Sequence, residues 1–205
     1  FKNGKGRMRT VLSSNKLKNL FSRFSDNEKK KGILFENDSQ EIETKLRVKV
    51  IRFPNKWKFS YGLNFQNSTY KNNTYSLLND FNYDTNFSFL KYGFFTNGSR
   101  SFVNERLSFS FGFRFDADTF SKGSSLIENF SPRLATSYNI SQDGKWKLNS
   151  SIGRYFKIPT YTMLGFRDNK GTYINKNLKY TQSDHFVIGI EHNFSNSSRF
   201  TIEGF

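Results

Sequence analysis

The sequence predicts an all-β chain: an antiparallel up-and-down sheet of about nine strands. Three observations carry that expectation. Apolar residues recur at every second position, aromatic rings dominate the apolar side, and short and long connections alternate along the chain. Alternation at a period of two sets one strand face against something apolar and the other against something polar. A helix repeats its apolar stripe every three to four residues instead, and no segment of the 205 residues does so.

Taken in order, residues 7–24 read as a strand of unclear phase behind the turn-like Asn3-Gly4-Lys5-Gly6. In residues 41–52, Ile42, Leu46, Val48 and Val50 alternate with Glu43, Lys45, Arg47 and Lys49. Residues 56–66 set Trp57, Phe59, Tyr61, Leu63 and Phe65 against Lys58, Ser60, Gly62 and Asn64. The stretch 86–95 has Phe87 and Phe89 in one phase but Leu90, Tyr92 and Phe94 out of it. In 105–116, Leu107, Phe109, Phe111, Phe113 and Phe115 oppose Arg106, Ser108, Ser110, Gly112 and Arg114. Weaker alternation marks 130–140, 145–157, 185–194 and 199–203. Of the connections, 53–55, 141–144 and Ser195-Asn196-Ser197 are tight, 97–104 is short, and 66–84, 117–129 and 158–184 are long loops. Long loops gathered at one end of the sheet produce this order, the pattern of transmembrane β-barrels with short periplasmic turns.

Composition narrows the class further. Hydrophobic residues make up 35% of the chain, yet Phe 25, Tyr 10 and Trp 2 bring aromatics to 18%, which argues for a folded chain over a disordered one. No apolar run approaches the ~18 residues of a transmembrane helix. With no Cys, disulfide scaffolds, cysteine metal sites and thiol catalysis are excluded. The chain opens at Phe1 without a basic-then-apolar leader, which is no argument for the cytoplasm.

A soluble sandwich and a membrane barrel both alternate, so the side chains decide between them. Sandwich cores favour Val, Ile and Leu, whereas these apolar faces are chiefly Phe. Trp57 and Trp146 each follow a short turn, where an aromatic girdle would place them. Residues 56–66 match the ~9–11 residues that cross a bilayer at a tilt. Open strand edges cannot face hydrocarbon, so if these strands form a barrel, nine are only part of one. A soluble all-β binding module and a passive porin-like channel stand as the alternatives.

The stretch from Ser131 onward resembles the barrel of TonB-dependent outer-membrane receptors. Ser131-Pro132-Arg133-Leu134-Ala135 is similar to a recurrent "SPR" strand of that family, and residues 153–160, GRYFKIPT, resemble its strand-to-loop passage with Lys157 for the usual Arg. Residues 175–179, NKNLK, and 183–194, SDHFVIGIEHNF, resemble the motifs that follow, although Lys176 and Tyr180-Thr181 depart from the pattern. The resemblance implies that residues 1–205 are a partial barrel domain, cut at both ends, of a ~22-strand barrel. It also implies the outer membrane of the cell as location and a plug domain and TonB as partners, reached through an N-terminal part that is not in this sequence. The ligand would be a small or oligomeric nutrient: a siderophore, haem, cobalamin, a glycan or a peptide.

The net charge of +15 raises nucleic acid as a partner, but the charges are spread along polar strand faces apart from Lys29-Lys30-Lys31, which reads as a solvated loop. No nucleic acid is expected; outer-membrane lipid and lipopolysaccharide are. His185 and His192 fall on opposite strand faces, and no carboxylate pair comes with a base, nucleophile or ligand set. Neither an enzyme nor a metal or cofactor site is therefore expected. If substrate binds this segment, the loop residues Tyr70, Tyr75, Tyr83, Tyr161, Arg167 and Tyr173 are the candidates. From parity, Arg106, Arg114, Arg133, Lys147, Glu191 and Glu203 face the lumen.

Overall fold

The computed structural model describes residues 6–122, 125–168, 170–195 and 197–205; most of the 3–6 turn, Gly123 and Asn196 lie outside them. The described residues build β1 (Gly6–Asp26), β2 (Lys31–Arg52), β3 (Lys58–Ser76), β4 (Phe81–Phe102) and β5 (Leu107–Asp118). Next come β6 (Ser131–Asn139), β7 (Trp146–Lys157), the single helical turn α1 (Tyr161–Leu164), β8 (Thr181–Asn193) and β9 (Arg199–Gly204). One antiparallel sheet holds all nine strands in chain order, so every strand pairs with the one before it. It is not closed: β1 and β9 are its edges.

Pairing carries the alternation across the sheet. On one face Leu46, Phe65 and Tyr92 lie opposite one another across β2–β4, as do Val48, Leu63 and Phe94, which meets Phe115 of β5. The row Phe111, Leu134, Ile152 and Phe186 continues this across β5–β8, and Leu148, Ile190 and Ile202 across β7–β9. Among the described residues nothing covers this face. Leu63 is 44% exposed, Ile152 56% and Phe186 57%, values that a sandwich core excludes. Towards the long-loop end the same face turns polar, with Thr69 opposite Ser88 and Lys71 between Gln40 and Asn86. Farther round, Arg154 holds Asp184 through two hydrogen bonds of 2.7 and 2.9 Å. The ring-rich side is thus a band with a polar border, and Trp57 lies at its lower rim against Phe59, Phe102 and Phe111.

Three expectations need correcting. Residues 66–84 are not a long loop: β3 and β4 stay paired up to Ser76 opposite Phe81, and only 77–80 turn. β4 likewise runs on to Phe102, which leaves 103–106 as the connection. The long 158–184 connection ends at Tyr180, because residues 181–184 already pair with β7 as the start of β8; the Lys29–Lys31 run is exposed, as a solvated segment should be, in the tight turn 27–30 and the first residue of β2. Beyond the last pairing of β4 with β5, Lys91 opposite Asp118, residues 81–90 continue upward with β1–β3 as a taller wall.

Candidate functional site

Strand parity decides which side chains share the other face. Glu43 lies opposite Ser68, Gln66 opposite Lys91, and Lys91 opposite Asp118. The sheet curls around this face. A cavity of about 630 Å³ is lined by Lys58 of β3 and Glu203 of β9 together, strands that would stand ~29 Å apart in a flat sheet. This concave face carries most of the buried residues.

The 158–180 connection folds back onto it. Thr160 caps α1 by accepting a hydrogen bond from the Met163 amide. Leu164, with no exposed surface, lies in a cluster with Tyr70, Phe87, Phe89 and Tyr161. At Gly165, where the helical turn ends, the carbonyl accepts the hydroxyls of Tyr83 and Thr85. A Cβ at Gly165 would stand 2.4 Å from the Phe87 ring, so the close approach requires glycine. Phe87 and Phe89 are therefore the rings of β4 that the folded-back loop covers, while Leu90, Tyr92 and Phe94 belong to the outer band. That resolves the mixed phase of this strand.

Polar contacts hold the loop in place. The Tyr161 hydroxyl donates to Glu43 Oε1 at 2.6 Å and accepts from Lys91 Nζ at 2.8 Å. Gln66 Nε2 donates to the same Glu43 oxygen at 2.7 Å, and Lys45 pairs with the other at 2.6 Å. Lower in the loop, Tyr180 donates to Asp118 Oδ2 at 2.9 Å, while Asp118 Oδ1 accepts from the amides of Phe120 and Ser121. Burial first, then the Glu43 carboxylate, pushes the Tyr161 phenol above the ordinary tyrosine range; burial and Asp118 do the same at Tyr180. Both phenols stay protonated and act as donors.

Of the six predicted substrate candidates, Tyr70 lies in β3, 2% exposed, bonded to Thr162 and Asn72. Tyr75 is also in β3 but on the outward side, and Tyr83 is in β4, stacked on Phe166. Tyr161 is the buried hub just described. Only Arg167 and Tyr173 sit in irregular chain, joined by a β-bridge, with the guanidinium 4.3 Å over the Tyr173 ring. Register places Arg114, Arg133, Lys147, Glu191 and Glu203 on the concave side. Arg114 pairs with Asp116, and Lys147 with Glu191 at 3.5 Å. Arg106 lies in the 103–106 turn and donates to the carbonyls of Asn139 and Ile140. His185 and His192 take opposite faces, His192 stacking on Trp146. Among the described residues no group of three or more His, Asp or Glu is placed to hold a metal ion.

Sequence reasoning missed the Glu43, Gln66, Ser68 and Lys91 set that seats Tyr161. One signal pointed to it: apolar residues on both faces of β4 require a second cover.

The comparisons agree with this geometry. The family described as "TonB dependent receptor-like, beta-barrel" matches residues 6–205. No curated protein matches the chain in sequence. Among solved structures it is similar to the copper transporter OprC, with a TM-score of 0.67 at 15% identity over 92% of this chain and 35% of that one. It is also similar to the FpvAI–pyocin S2 complex structure (TM-score 0.68, 14% identity, 99% and 30% covered). A third is the outer-membrane transporter YddB from Escherichia coli (TM-score 0.65, 13% identity, 95% and 31% covered). The chain spans about a third of the length of these structures. On a family match that runs through every strand, the chain belongs to the TonB-dependent receptor-like β-barrel family.

Proposed function

We propose that residues 6–205 form part of the wall of an outer-membrane transporter that takes up a scarce, bulky nutrient with energy delivered through TonB. One observation carries this reading: a ring-rich face that none of the described residues covers, backed by a concave polar face, as a strand wall between lipid and a wet lumen requires. The open edges at β1 and β9 support a larger barrel, because unpaired backbone groups in hydrocarbon cost several kcal/mol each. In this reading Arg106, Arg114, Arg133, Lys147, Glu191 and Glu203 line the lumen or bond a plug domain. Arg167 and Tyr173 are the substrate contacts best placed among the candidates, and the polar border above the band meets lipopolysaccharide.

Expression of the whole receptor tests this. Recovery in the outer-membrane fraction with heat-modifiable migration in detergent gels is expected; recovery in the soluble fraction would sink the barrel. Growth on ferric siderophores, haem or cobalamin should depend on the receptor and stop without TonB. Receptor-dependent growth that persists without TonB would favour a passive channel.

A further inference from the structure

Below the folded-back loop, the concave face has cations without a carboxylate partner. Among the described residues Lys45, Lys91, Arg114, Lys147 and Arg199 each have a carboxylate within 4 Å, but Arg47, Lys49, Lys58 and Arg133 have none. Strand curvature brings three of these together. Lys49 of β2, Lys58 of β3 and Arg133 of β6 line one cavity of about 470 Å³ with Ser60, Asn97 and Ser110, and no acidic residue lines it. Arg47 and Arg133 share a smaller adjoining cavity with Arg114. Carboxylates line the neighbouring cavities: Asp116, already paired with Arg114, beside Arg133, and Glu203 beside Lys58.

Two of the guanidinium groups are held in place by aromatic rings. Arg133 lies 4.3 Å from the centre of the Tyr155 ring, and that ring covers Gly153 of the same strand. Arg47 lies 4.9 Å from the centre of the Phe95 ring, which covers Gly62. A ring fixes the height and tilt of a guanidinium while leaving its donors unspent. Donors are in fact left over: Arg133 Nε is buried with no acceptor, and so is Asn64 Nδ2, which lines the cavity on the other side of Arg133. Buried donors without acceptors are costly, and clustered like charges repel. Anionic oxygens relieve both at once.

From this the geometry points to an anion site in the middle of the concave wall, built by Arg47, Lys49, Lys58 and Arg133, whose ligand is a multivalent set of carboxylate or phosphate oxygens. It deepens the transporter reading and rests on the concave face being a lumen. The oxygens come either from a free anionic solute in passage or from acidic side chains of a polypeptide lodged in the barrel.

The test uses the full-length receptor in detergent, with citrate and inorganic phosphate as probes in titration calorimetry. A free-solute site predicts saturable citrate binding that weakens about tenfold in Lys49→Gln/Arg133→Gln and is unchanged in Lys71→Gln, a control that removes a cation on the outer side. Lys49→Gln/Lys58→Gln leaves the Arg133–Tyr155 stack intact and serves if the first variant fails to fold. A polypeptide-borne ligand predicts no citrate binding, a Tm that falls between about 0.1 and about 1 M NaCl, and loss of that salt dependence in both variants. No citrate binding together with a salt dependence that the variants leave unchanged would overturn the site, as would citrate binding that the variants do not weaken. Heat-modifiable migration of wild type and variants, run alongside, reports whether the barrel itself has formed, so failure of the site is separable from failure of the transporter reading.

Discussion

Val103 holds φ at 53° in the turn between β4 and β5, followed by Asn104 at 51° and Glu105 at 66°. A left-handed conformation suits asparagine and is strained for a β-branched side chain, by ~1–3 kcal/mol. Val103→Asn should therefore stabilise the refolded receptor by about 1 kcal/mol, measured by urea titration in lipid vesicles with Trp57 and Trp146 as reporters; an unchanged midpoint would show that the turn stores no strain. Individual residues were the hardest scale to read from sequence. Tyr70 and Tyr161 look like loop residues that grip a ligand, because a tyrosine in a polar segment carries no mark of burial. Folding brings them together across 91 positions of chain, and the Glu43–Lys91 pair that receives Tyr161 comes from two further strands.

Among elements, the strands of the ring-rich band were legible and those above it were not. In 56–66 and 105–116 one face is apolar and the other polar, so the period of two stands out. In 67–74 the outward residues Asn67, Thr69, Lys71 and Asn73 are as polar as the inward Ser68, Asn72 and Thr74. Backbone pairing continues there, but with polar residues on both the wet outer face and the loop-covered inner face the alternation vanishes and the segment reads as a loop. The same contrast predicts where a charge is tolerated. Leu63→Lys, mid-band on β3, should cost ~2–4 kcal/mol in vesicle refolding, whereas Thr69→Lys, at the polar border of the same face, should cost ~0–1. Equal costs at the two positions would remove the boundary between them.

At the scale of the whole molecule, one connection reshapes the interior. The longest loop was legible, as 158–184, but the inward fold of its irregular part, 158–180, was not, since nothing local distinguishes a loop that leans on the wall from one that stands free. Tyr161→Phe removes the donor to Glu43 and leaves Lys91 facing a bare ring. Hydrogen exchange across 160–166 should quicken about tenfold while the strands stay protected; unchanged exchange would mean that apolar packing of Leu164 alone retains the loop. The unequal strand lengths bear on the same end of the structure. Residues 81–90 and their partners in β1–β3 carry the sheet about 30 Å farther along the strand direction than β5 does. The upper edge of the sheet is accordingly oblique, a parapet on one flank and a low sill on the other. In the transporter reading proposed above, a large cargo arriving from outside would brush the amide- and hydroxyl-bearing parapet first and be steered sideways, across the sill, before it descends.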